Sequence, residues 1–149
     1  MRYAKRVARD KARVVSQRNP NALVLGADTI VVVDGEILGK PRDRADAARM
    51  LRRLSGRTHE VITAIALISS NQRPFEDVRS ERTKVVFVRL TEAEIRDYIA
   101  GGEPMDKAGA YGIQGRASRW IPKIEGDYFN VVGLPVALVV QMLKKRGLL

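Results

Sequence analysis

At 149 residues, 45% hydrophobic and 30% charged, the chain has the length and balance of one soluble globular domain able to bury a core. It has no cysteine and one histidine, His59, which excludes disulfides, thiolate chemistry and a His-rich metal centre. A formal charge of +10 raises nucleic acid as a partner, but aromatic residues make up only 5% and do not interleave with the basic ones as a single-strand stacking platform requires.

Residues 3–17 predict an amphipathic helix with Val7, Ala8, Ala12, Val14 and Val15 on its apolar side, ending near Asn19-Pro20. Residues 1–18 carry seven basic residues against the single acid Asp10, consistent with a solvated basic face or an anionic small substrate. Residues 22–33 read as a buried strand, and Asp34-Gly35 before Glu36-Ile37-Leu38 predicts a tight hairpin. A helix over 44–54 places Ala47, Met50, Leu51 and Leu54 on one face, with Gly56 as a left-handed stop.

A long strand is expected over 60–69, a turn at 71–74 and a return strand over 79–89 in which Thr83, Val85 and Phe87 share a face. Thr91-Glu92-Ala93-Glu94 is a capping box for a helix that Gly101-Gly102 ends. Residues 120–124 and 128–132 read as short strands, and a last helix follows Pro135. The fold class is therefore mixed α/β with at least one long antiparallel pair, rather than a regular doubly wound repeat. The longest apolar runs, near 30–33 and 136–140, are too short to cross a bilayer, and no signal peptide is read, so the expectation is a cytoplasmic protein without a membrane partner.

Three compact polar clusters carry the candidate chemistry. In Ala27-Asp28-Thr29, Asp28 interrupts an apolar strand, where a carboxylate is costly unless it is paired, hydrogen-bonded or bound to a cation; Gly26 and Ala27 leave room beside it for a ligand. A strand-end aspartate bonded to a neighbouring amide is the alternative. In Gly39-Lys40-Pro41, Lys40 sits on a stiff turn and suits an anionic oxygen, or is an ordinary exposed lysine. In 106–115, Asp106, Lys107, Tyr111 and Gln114 stand among Gly109, Gly112 and Gly115. Here Asp106 can assist a metal or position Lys107, and Lys107 can contact phosphate or pair with Glu103. His59 reads as orienting the turn before its strand, and Trp120 and Tyr128 as core. Jointly the clusters suggest a nucleotide polyphosphate with a hard oxygen-bound cation, Mg²⁺ by default, without a P-loop or dinucleotide fingerprint.

The series Ala27-Asp28-Thr29, Gly39-Lys40-Pro41, Met50-Leu51 through Leu54-Ser55-Gly56, His59-Glu60-Val61 and Thr63 resembles the Maf family of nucleotide pyrophosphatases. So do Gly102-Glu103-Pro104, the run from Asp106 to Gly115, Gly126-Asp127-Tyr128, and Asn130 to Pro135, in the family's order over essentially the whole chain. The resemblance implies a twisted mixed sheet with a cleft, a Mg²⁺- or Mn²⁺-dependent site, often a homodimer, and hydrolysis of a nucleoside triphosphate to monophosphate and pyrophosphate as nucleotide-pool house-cleaning. It implies Asp28 as general base and metal-side carboxylate, and Lys11 and Lys40 as phosphate lysines. Thr29 and the Tyr111-Gly112-Ile113-Gln114 stretch resemble the branch acting on dTTP, UTP and modified uridine nucleotides rather than the 7-methyl-GTP branch. Gln114 can read a base imide with its amide, or close the loop structurally.

Family members begin with a strand and a Ser-x-Arg-Arg-type phosphate loop, and this chain resembles the family from the following helix onward. The expectation is a truncated single domain with weak or no turnover. The rival readings are a noncatalytic nucleotide-binding protein influencing cell division and, from another class, a basic nucleic-acid module whose affinity would fall steeply with salt.

Overall fold

The computed structural model describes residues 1–71 and 73–149. Among these residues five strands form one sheet in the order β2-β1-β3-β4-β5, made by β1 (Leu23–Val33), β2 (Glu36–Leu38), β3 (Thr58–Ser69), β4 (Phe75–Val86) and β5 (Lys123–Glu125). The pairs β1/β2 and β4/β5 are antiparallel. Among the described residues five α-helices accompany the sheet: α1 (Arg2–Arg18), α2 (Arg44–Leu54), α3 (Glu92–Ala100), α4 (Tyr128–Val132) and α5 (Val136–Lys145). None of the described helices is long and apolar enough to cross a membrane. The mixed α/β class, with strand pairing in antiparallel ladders, is as expected from the sequence.

The chain divides into two compact units. The first comprises 1–29, 62–82 and 129–149, and the second 30–61 and 83–128. In the first, Ile65, Leu67, Val139 and Met142 form a core that Ala27, Phe75, Leu138 and Leu143 pack against. Helix α1 lies on β1 through a stripe of small side chains at four-residue spacing, Ala4, Ala8, Ala12 and Ser16, all buried. Gly26 makes the close approach possible. A Cβ there would stand 2.5 Å from the Ala8 carbonyl oxygen and 2.8 Å from the Ala12 Cβ. The space beside Gly26 expected for a ligand is thus occupied by α1. Val14 and Val15, expected on the buried side, are exposed, because helix–strand contact this close selects the smallest residues and turns the valines away.

In the second unit, α2 packs its predicted face (Ala47, Met50, Leu51, Leu54) and contacts α3, whose Ile95, Tyr98 and Ile99 are buried. Asp34 and Gly35, at φ 48° and 78°, form the two-residue hairpin turn with Val33 opposite Glu36. The capping box at Thr91 and Glu94 is complete in both directions. Thr83, Val85 and Phe87 are buried while Arg82 and Lys84 face out, as their alternation predicts.

Two expected strands need correction. Tyr128–Val132 is helix α4, and within 120–124 only the end joins β5, after a 3₁₀ turn over Arg116–Trp120. Five-residue apolar runs carry too little periodicity to separate helix from strand. Trp120 is core, whereas Tyr128 is exposed. The expected turn at 71–74 includes Gln72, which lies outside the described residues.

Candidate active site

The first cluster belongs to the first unit. Asp28 sits within β1 with only 14% of its side chain exposed, and its Oδ1 accepts a 2.7 Å bond from Lys11 Nζ on α1. The same ammonium lies 3.4 Å from the Ala27 carbonyl oxygen. The carboxylate demanded by the sequence argument therefore has its partner in the lysine one position before Ala12, delivered by the Gly26 contact. Lys11 is itself 57% exposed, so it can leave one oxygen for another without unfolding anything. Oδ2 of Asp28 makes no hydrogen bond among the described residues, which leaves a proton-accepting site on a half-buried carboxylate.

Thr29 does not share that environment. Its Oγ1 lies 2.8 Å from Thr63 Oγ1 on β3. Thr63 is fully buried; its hydroxyl donates to the Asn130 carbonyl oxygen at 2.9 Å, and its backbone N–H donates to Asn130 Oδ1 at 3.1 Å. Thr63 and Asn130 stand within the resembling motifs, but the sequence reading gave neither a role. Their only signal was a hydroxyl and an amide inside apolar runs.

The second cluster belongs to the second unit. Consecutive 3₁₀ turns, Glu103–Asp106 and Ala108–Ala110, carry the polar loop. Gly109 takes φ 71°, and its N–H donates to the Gly39 carbonyl oxygen at 3.0 Å, tying the loop to the turn that bears Lys40. Lys107 Nζ donates to Asp106 Oδ1 at 3.0 Å, and this bond, reinforced by the charges of Lys107 and Lys40, holds the Asp106 carboxyl below its ordinary range. Lys40, Asp106 and Lys107 are thus brought together. Glu103 instead accepts from the Tyr98 hydroxyl at 3.0 Å and from the Arg116 N–H at 3.2 Å, and Lys107 pairs with Asp106 rather than with Glu103. Gln114 is exposed and its amide makes no hydrogen bond among the described residues, which leaves all its donors and acceptors available.

Beneath this loop, Tyr111 is buried, and its hydroxyl lies 2.7 Å from His59 Nε2. Phe87 meets both rings edge-on. Burial pushes the His59 imidazole down to about 4 and the Tyr111 phenol up, so both are neutral core groups near pH 7. His59 Nδ1 is buried without a partner among the described residues. His59 therefore supports the loop from inside.

The donor set bears on a cation. Among the described residues no three His, Cys, Asp or Glu side chains converge. Asp28 in the first unit and Asp106 in the second are each a single carboxylate, and a lone carboxylate fits a hard cation completed by substrate phosphates and water rather than an all-protein cage.

A family model described as Maf-like protein matches residues 1–146. The chain is 58% identical over 147 residues to the dTTP/UTP pyrophosphatase of Koribacter versatilis, spanning 99% of this chain and 75% of that protein. Over 142 residues it is 59% identical to the dTTP/UTP pyrophosphatase of Symbiobacterium thermophilum, spanning 95% and 72%. The protein of the same name from Syntrophomonas wolfei is 55% identical over 144 residues, spanning 97% and 76%. With a family model matching nearly its whole length, and with the half-buried aspartate, its lysine and the glycine-turn loop all in place, this chain belongs to the Maf family.

Proposed function

We propose that this chain hydrolyses dTTP and UTP, with modified uridine nucleotides as further substrates, to the monophosphate and pyrophosphate. Family membership and the shared name of the relatives give the reaction class. The observation that carries the chemistry is Asp28, a carboxylate inside an apolar strand with one oxygen on Lys11 and the other uncommitted.

In this reading, Asp28 Oδ2 takes a proton from a water as that water's oxygen bonds to the α-phosphorus. The bond from the α-phosphorus to its bridging oxygen breaks, and pyrophosphate leaves with the electron pair. Lys11 fixes one oxygen of Asp28 through its 2.7 Å bond and offers its exposed ammonium to phosphate oxygens. Lys40 and Lys107 stabilise charge on the departing pyrophosphate, with Asp106 steering Lys107. A divalent cation bound by substrate phosphates, with Asp28 or Asp106 as a carboxylate ligand, would supply Lewis-acid stabilisation of those oxygens. Gln114 provides a free amide able to pair with the imide of uracil or thymine.

The test is pyrophosphate release from dTTP, UTP, CTP, GTP and ATP with Mg²⁺. Turnover concentrated on dTTP and UTP is expected. Equal turnover of all five removes the pyrimidine reading. Nucleotide-induced thermal stabilisation without any turnover supports the noncatalytic binding protein instead.

A further inference from the structure

We propose that Glu103 is a positioning residue for nucleotide selection, its two carboxylate oxygens holding the two ends of the turn that presents Gln114. The inference rests on the reading of Gln114 as the amide that meets the base.

Gln114 stands at the tip of a tight turn. The Gly115 N–H donates to the Gly112 carbonyl oxygen at 3.1 Å, which makes Ile113 and Gln114 the two central residues. Ile113 is buried and Gln114 exposed, so one central residue anchors the turn while the other is offered outward. An amide on a loose turn would lose much of its pairing energy to the cost of ordering it. It therefore needs a fixed backbone beneath it.

Glu103 fixes that backbone from behind. The Arg116 N–H, one residue past the turn, can only donate, and it meets Glu103 Oε2 at 3.2 Å. At the other end, the Gly112 N–H donates to the Tyr98 hydroxyl oxygen at 3.4 Å. Tyr98 spends its single hydroxyl hydrogen on Glu103 Oε1 at 3.0 Å. Each carboxylate oxygen thus serves one end of the turn. The fit is close enough to demand glycine. A Cβ on Gly115 would overlap Glu103 Oε1, and one on Gly112 would stand 2.8 Å from the stem of Lys107.

The support is itself rigid. Tyr98 is fully buried on α3, edge-on to Trp120 with ring centroids 4.9 Å apart. A buried phenol is costly without partners, so its two bonds pin the ring and the turn to each other. The preceding residue, Asp97, pairs with the Arg116 guanidinium. The position of Gln114 is thereby referred to a packed helix rather than to the loop alone.

The test uses the full chain carrying Glu103→Ala, Gln114→Ala and both together, with Tyr98→Phe as a variant that deletes only the hydroxyl. Glu103→Ala should raise KM for dTTP about fivefold with kcat within about twofold, and narrow the preference for dTTP over GTP. Tyr98→Phe should do the same to a smaller degree. Gln114→Ala should match Glu103→Ala, and the double variant should be no worse than either. A lower folded fraction alone would reduce kcat and leave KM in place. Unchanged KM and preference in Glu103→Ala overturn the proposal, and so do additive losses in the double variant. If Gln114→Ala changes nothing, or the unaltered chain turns over no triphosphate, the functional reading has failed, and amide hydrogen exchange decides the clamp separately. Amides of 112–116 should exchange about tenfold faster in Glu103→Ala and Tyr98→Phe while those of α2 stay constant. Equal exchange overturns it.

Discussion

The two clusters hold their charges by opposite means. Asp28 and Lys11 are fixed by regular structure: a strand, a helix, and a contact so close that only small residues permit it. Lys40, Asp106 and Lys107 ride on turns, the first two exposed and Lys107 half-buried, with an Asp106–Lys107 ion pair beside a buried His59–Tyr111 support. A proton-accepting group gains from a fixed position, whereas a group that follows phosphates through a reaction gains from mobility at its tip and constraint only at its base.

The contrast can be broken first at Gly26. Gly26→Ala drives a methyl into the α1 backbone, and thermal or urea denaturation should show a loss of about 3 kcal/mol. Turnover should fall with it, because the helix that recedes carries Lys11. A variant as stable and active as the parent would show that α1 does not rest on that contact.

The second unit should lose stability in acid. His59 is held near 4 in the folded protein against its ordinary 6.5, so between those values the unfolded chain binds a proton that the folded chain does not. The share of stability that His59 carries is therefore complete above about pH 6.5, falls as pH drops toward 4 by about 3 kcal/mol at most, and changes no further below. His59→Gln should flatten that slope in a pH series of denaturation curves.

Gly109→Ala forces φ 71° on a residue with a side chain and brings its Cβ to 2.9 Å from Val31. A loss of about 2 kcal/mol is expected, with Asp28-dependent chemistry preserved in the molecules that remain folded. The smallest effect belongs to the loop tip, where Lys107→Met should raise KM for dTTP about fivefold and change kcat less than Asp28 substitutions do.

What was legible in the sequence was local. The Asp34-Gly35 turn, the Thr91 capping box and the 44–54 helix have signatures a few residues long, and each formed as read. Asp28 was legible because a carboxylate in an apolar strand needs a partner, although only the family resemblance singled out Lys11. The missed features are those that depend on distant chain. Nothing in the spacing of Thr29, Thr63 and Asn130 shows that they touch, since 34 and 67 residues separate the bonded pairs. The apolar content of Tyr128–Val132 fits a strand as well as the helix it forms, and that helix leaves Phe129 56% exposed. Of the apolar side expected for α1, Ala8 and Ala12 are buried while Val14 and Val15 are exposed, because the small-residue contact decides which face packs.

The most direct measurement is steady-state pyrophosphate release from dTTP by the chain and by Asp28→Asn, which keeps the size of the side chain but removes its proton-accepting charge. The account predicts a loss in kcat of about a hundredfold or more with KM little changed. Turnover by Asp28→Asn equal to that of the unaltered chain would contradict the assignment of Asp28 as the base.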